Sequence, residues 1–211
     1  MGVRREFGAG VVLGVLINRF VAGGFVGPAS AQPAGPTAPA PRDHAELAKL
    51  YDEDQADRMP QGGGPIDWSV VLPRDQAREA RIKALYQAGE LHTGKDFYRA
   101  AMILQHAPRP EDHLLAHEFC VVALAKGQRD ARWLAAASED RYLMSVGRPQ
   151  RFGTQYRAAQ PDQPVRLYQV EPGVTDALRG EMGVPTLAQA RQREAQMQEM
   201  IKGKEPAAAR R

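Results

Sequence analysis

The chain has 211 residues, 43% of them hydrophobic and 25% charged, with one cysteine. That length fits one domain able to bury a core without staples, and a single thiol excludes an internal disulfide framework. The formal net charge is +3, and residues 1–31, with Arg4, Arg5 and Arg19 against Glu6, hold two of those charges, so no basic stripe of the kind nucleic acid requires is present.

The first 31 residues read as an export leader. Arg4-Arg5 supply a positive start, Phe7 to Ile17 an apolar stretch, and Ala29-Ser30-Ala31 an A-x-A cleavage site with Gln32 as the expected mature start. Asn18-Arg19 ends the apolar run short of the ~20 residues a spanning helix needs. A leader kept as an anchor is the alternative, and would be the chain's one expected contact with the membrane. Arg4-Arg5-Glu6-Phe7 resembles a twin-arginine motif, which leaves the export route open. Either route predicts a periplasmic or secreted protein. Residues 32–42, with prolines at 33, 36, 39 and 41, form an extended linker, residues 43–201 the folded domain, and residues 202–211 a fraying tail.

The domain reads as all-α. Asp43 is placed to cap a first helix through about Met59, which Pro60 and Gly62-Gly63-Gly64 end. Ile66 to Leu72 is a short apolar connection, and a second helix runs from about Arg74 to Ala88 with Gly89 behind it. Thr93-Gly94-Lys95-Asp96 forms a capping box that opens a third helix, Asp96 to His106. A fourth, Glu111 to Lys126, is apolar nearly all round and therefore central. Asp130 caps a fifth, Ala131 to Val146. Residues 148–172 are irregular, with Arg166 to Val170 a short extended piece, and the last helix is Thr186 to Ile201. The expected architecture is a compact bundle of about five to six short helices, with stacked helical hairpins as one arrangement. Cys120, inside an apolar helical run, reads as a buried small hydrophobe.

Two features carry chemistry. In the fifth helix Glu139-Asp140-Arg141 interrupts apolar neighbours, and the helix is followed by the polar turn Phe152-Gly153-Thr154-Gln155. A buried ion must be paired and hydrogen-bonded, which predicts one connected polar site of Asp140, Arg141, Gln150 and Gln155 with His106. The second feature is histidine placement. His113 and His117 lie four apart on one helical face, but two histidines need a third ligand, and Glu118 faces elsewhere, so no metal site and no cofactor is expected.

Asp54-Gln55-Ala56-Asp57-Arg58, Gln105-His106, the Ala116-His117-Glu118 helix, Glu139-Asp140-Arg141 and Gly147-Arg148-Pro149-Gln150-Arg151-Phe152-Gly153-Thr154-Gln155 together resemble a bacterial family of unknown function, whose signature runs D-Q-x-x-R, Q-H, D-R, G-x-x-Q-x-[YF]-G-T-Q. The likeness spans roughly residues 50 to 157 and implies a helical domain but no reaction.

Three functions follow. The first is a non-enzymatic envelope module whose groove, lined by His106, His117, Asp140, Arg141, Gln150, Thr154 and Gln155, binds a small polar ligand, a peptide or an envelope protein. The second is a hydrolase- or lyase-type enzyme with His106 or His117 as general base, Asp140 orienting it and Arg141 stabilising an anion. The third is a purely structural network tying the 148–157 loop to the helices.

Overall fold

Seven helices and one pair of very short strands make up the described part of the chain, which in the computed structural model is residues 41–59, 64–158 and 164–204. The expected leader, most of the linker and residues 205–211 lie outside it. The described residues belong to one unit, Ala40–Arg211. None of their helices is long and apolar enough to cross a membrane.

Local capping chemistry sets most helix starts, and it corrects several expected boundaries. Helix α1 (Ala45–Arg58) is capped by His44, whose Nδ1 accepts from the Leu47 amide at 3.2 Å. Asp43 is not the cap because its carboxylate is taken by the Thr93 hydroxyl at 2.9 Å and by Arg99 at 3.3 Å. Helix α2 (Trp68–Gln87) absorbs the stretch expected as a connection. Asp67 caps it by accepting from the Ser69 amide at 3.0 Å, and Pro73 sits close enough to the start that its missing N–H removes one backbone bond without ending the helix. Helix α3 (Gly94–Leu104) carries the full Thr93–Asp96 capping box, and it ends before His106 because the last amides tighten onto Ile103 and Leu104. Helix α4 (Pro110–Ala125) starts with proline, whose backbone is already set for a first turn. In α5 (Ala131–Ser145) Asp130 holds the cap position but makes no capping bond.

Beyond α5 the chain is less regular. Strands β1 (Tyr156–Arg157) and β2 (Arg166–Leu167) pair antiparallel, with Tyr156 opposite Leu167, and Gln150 bridges Val170 beside them. Helix α6 (Asp176–Glu181), capped by the Thr175 hydroxyl, was not expected and brings the helices to seven. The last helix, α7 (Leu187–Lys204), continues past Ile201 into the segment expected to fray, because its run is rich in strong helix formers.

The main core is built on α4. Its Ala116, Phe119, Cys120 and Ala123 meet Ala100, Ala101, Ile103 and Leu104 of α3 on one side and Ala131, Leu134 and Ala135 of α5 on the other; Leu47 of α1 and Ile82 and Leu85 of α2 close the end. So many alanines let the helix axes approach closely. Cys120 is fully buried, and burial pushes its thiol up to about 12, so it behaves as a small hydrophobe.

One buried carboxylate sets where α1 begins. Asp96 accepts from the amides of His44 at 2.8 Å, Thr93 at 2.9 Å and His92 at 3.1 Å. Burial alone would raise its pKa, but these amides outweigh it and hold the carboxyl below the ordinary range. Its stabilising contribution is therefore complete above the unfolded carboxyl's pKa and is lost as pH falls through the lower folded value. Asp96→Ala is expected to cost about 2–3 kcal/mol at pH 7 in denaturant unfolding, with the gap to the parent narrowing as pH falls below the ordinary aspartate range. A gap independent of pH would contradict the role given to the ionised carboxylate.

Candidate functional site

Asp140 and Arg141 are consecutive on α5, so their side chains leave the helix about 100° apart. The fold sends them into two different networks.

Asp140 is fully buried under the turn that follows α5. One carboxylate oxygen accepts from the Arg151 amide at 2.7 Å and the Phe152 amide at 2.8 Å; the other accepts from the Thr154 amide at 3.0 Å and the Thr154 hydroxyl at 2.8 Å. Arg179 of α6, also fully buried, serves the opposite polarity of the same turn, donating to the carbonyls of Phe152 and, at 3.0 Å, of Arg151. Gly153 adopts φ +70°, and a Cβ there would come within 3.2 Å of the Arg179 guanidinium, so glycine is needed for both backbone and space. The Gln150 side chain accepts from the Gln155 amide at 2.8 Å and donates to the carbonyls of Gln155 at 3.0 Å and Tyr168 at 2.8 Å. The Gln155 amide group donates to the Thr154 hydroxyl at 2.8 Å and the Ala137 carbonyl at 3.4 Å. Asp140, Gln150, Thr154 and Gln155 thus form a self-satisfied network that ties the 150–155 segment to α5 and the strands.

Arg141 turns the other way, toward α1 and the end of α3. There Arg58 donates to Asp54 at 2.7 Å and to Asp75 of α2 at 2.8 Å, while Arg78 donates to Asp75 at 2.6 Å and Asp57 at 2.9 Å. Arg74 adds an outer bond to Asp57 at 2.6 Å. Asp54 is fully buried; burial, against the pull of Arg58 and a hydrogen bond from Gln55, raises its pKa to about 6. The His106 ring lies beside it, Nε2 3.7 Å from Asp54 Oδ2 and too far for a hydrogen bond. Burial, then the charges of Arg58 and Arg141, push His106 down to about 3, so it is neutral at physiological pH. His113 of α4 is likewise pushed down by burial and then by Arg141. Burial and the nearby charge of Arg58 lower Arg141 as well. Four buried atoms of this group have no hydrogen-bond partner among the described residues: Arg78 Nε, His106 Nε2, His113 Nδ1 and Arg141 Nε.

A groove of about 590 Å³ flanks the Asp–Arg ladder between α1 and α2, with Asp57, Arg74 and Arg78 on its wall beside Leu50, Ala56 and Ala77. It opens one side of the ladder to solvent.

His117 joins neither network directly. Its Nδ1 donates to the Ala135 carbonyl at 2.9 Å, and it bears on Glu139, whose carboxyl burial raises while His117 and Arg151 pull it down. Of the expected site residues, then, the structure brings His106 together with Arg141, and Asp140 together with Gln150, Thr154 and Gln155. It does not join the two sets, because neighbouring helical positions diverge. A His–Asp pair with Asp140 is not formed, since the hydrogen bonds of Asp140 all go to the turn; the carboxylate beside His106 is Asp54. Asp75, Arg78 and Arg179 were not anticipated. Asp75 and Arg78 stand three apart on α2, and Asp54 and Arg58 four apart on α1, both spacings of a helical ion pair; that is the signal the sequence held for Asp75 and Arg78.

The turn network carries a direct test. Asp140→Ala leaves three buried amides and a hydroxyl without their acceptor and is expected to cost about 3 kcal/mol in denaturant unfolding. Because Asp140 and Arg179 hold the same turn, the double variant Asp140→Ala/Arg179→Met is expected to lose less than the sum of the singles; strict additivity would separate the two residues. No protein-family model, no curated protein and no solved structure matches this chain.

Proposed function

We propose that this chain is an exported helical module of the cell envelope that binds a small polar ligand in the site formed by Asp54, Arg58, His106, His113 and Arg141. The observation that carries this reading is that His106, His113 and Arg141 each hold a buried polar atom without a partner, and that the Arg141 charge acts on both histidines. Each buried polar group left without a partner costs about 1–3 kcal/mol. The side chains of Asp140, Gln150, Thr154 and Gln155, by contrast, leave no buried polar atom without a partner, although Arg151 and Arg179 at the same turn each keep one unbonded Nε. Atoms left open beside an ion-pair ladder, with a groove along its other side, are what a polar ligand would complete. The ligand is a free small molecule or the same group presented on a peptide or an envelope protein. Export is supported by the order of positive charge, apolar stretch and Ala29-Ser30-Ala31 in the leader.

A second reading has its own support. A carboxyl held near 6 next to a neutral imidazole and an arginine is a constellation able to move a proton and stabilise an anion. In that case the protein is an acid–base enzyme acting on the same ligand. Asp54→Asn separates the two: a binder keeps most of its affinity, whereas an enzyme keeps binding and loses turnover.

A thermal-shift screen of polar metabolites checks the binding reading. At least one compound is expected to raise the Tm of the parent chain and to do so much less in His106→Gln, since a ligand that binds only the native state must stabilise it. Equal shifts in both proteins, or none in either, would count against this site. Export has a separate readout: intact-mass analysis of the periplasmic fraction is expected to give a chain starting at Gln32, and a full-length product held in the membrane would instead indicate an anchor.

A further inference from the structure

We infer that the ligand of this site carries an oxyanion, a carboxylate, phosphate or sulfate group, held by the Arg141 guanidinium together with His106 or His113. The inference rests on the binding reading above and adds the sign and chemical class of the ligand.

Charge pairing across the helices supplies the argument. Asp54, Asp57 and Asp75 are taken up by Arg58, Arg78 and Arg74. Arg58 is fully engaged, with Nη1 on Asp54 and Nη2 on Asp75. Arg141 is a further guanidinium, and among the described residues no carboxylate pairs with it; the charge that bears on it is the like charge of Arg58. A guanidinium cannot relieve such a position by losing its proton. It is also only half-buried, so it keeps an approach from solvent.

The surroundings select the partner. A cation would meet Arg58 and Arg141 together. A neutral amide or hydroxyl would accept one hydrogen bond and leave the charge of Arg141 uncompensated. An oxyanion supplies the absent charge, and its planar or tetrahedral oxygens match the fork of guanidinium donors. His106 and His113 each hold an unpartnered ring nitrogen and each feel the Arg141 charge, so either ring can add a hydrogen bond from a protonated ring atom.

The same argument makes an unusual forecast for the unliganded protein. Removing a half-buried cation that has only a like charge beside it relieves repulsion and desolvation, so Arg141→Gln is expected to fold and to melt above the parent in chloride buffer. The experiment titrates the full chain with acetate, inorganic phosphate and sulfate at constant ionic strength, following Tm and calorimetric heat. Arg141→Gln serves as the control for general salt effects. At least one anion is expected to bind the parent and to bind Arg141→Gln about tenfold to a hundredfold more weakly, with Arg141→Lys between them. A response to acetate alone assigns a carboxylate; a response to phosphate and sulfate assigns a tetrahedral oxyanion. Absence of any anion response specific to the parent overturns the inference. If a neutral or cationic compound from the metabolite screen then binds and is lost in Arg141→Gln, the binding reading survives and only the charge assignment fails. If Arg141→Gln melts below the parent and nothing binds either protein, Arg141 serves the fold and both readings fall.

Discussion

The hydrogen bonds from the 151–154 turn to the Asp140 carboxylate are the constraint on which the second half of the domain depends. Beyond α5 there is little apolar material to hold the chain: Phe152, Val174 and Val184 with Ala136 form a small cluster apart from the main core. Polar contacts do the holding instead. Asp140 takes the amides of the turn and Arg179 takes its carbonyls, so one short loop is clamped between α5 and α6. Gln150 then imitates a strand partner for Gln155, and the β1–β2 pair and the seat of α7, where the Tyr156 hydroxyl reaches the Ala190 carbonyl at 3.0 Å, are built outward from there. A buried ion is tolerable here because every oxygen of the carboxylate has a donor.

One residue further along, the same helix shows the opposite condition. Arg141 has no acid partner among the described residues, and its neighbours His106 and His113 each hold a buried nitrogen without a bond. Satisfied and unsatisfied polarity thus occupy adjacent positions of one helix. The stability given up at Arg141 is sustained by the Ala-rich packing of α3, α4 and α5 beneath it. It is further supported by Asp96, which fixes the start of α1 and so the position of Asp54 and Arg58 two turns and more along that helix.

Much of the fold was legible because the signals are local. Apolar periodicity, the Thr93–Asp96 capping box and the glycines that close α2 and α4 act within a few residues of the structures they specify. The errors came where a long-range partner captured a residue. Asp43 is a good cap in isolation, but Thr93 and Arg99 claim it. The stretch Ile66 to Leu72 is the local exception: expected as a connection, it enters α2 because Asp67 caps the helix by accepting from the Ser69 amide two residues ahead. Helix α6 has only six residues and no room for a periodic pattern, so Arg179 could not be seen as the partner of turn carbonyls 27 and 28 residues before it. The candidate site was legible in pieces. His106 and Arg141 stood out, and Asp54, Gln55 and Arg58 stood in the motif resemblance, yet Arg78 and Asp75 looked like charges on a solvated face.

The sequence by itself determined that the domain is helical, where most helices lie, and that polarity in the middle of α5 needs an explanation, because propensity, capping and periodicity are properties of neighbouring residues. Only the tertiary structure decided that Asp140 and Arg141 part company, that Asp54 rather than Asp140 stands beside His106, and that the Gly147–Gln155 motif serves the turn while Arg141 is left open. Those outcomes depend on which helices pack together and on the 100° that separates consecutive helical side chains, and they follow from burial and partner geometry rather than from residue type.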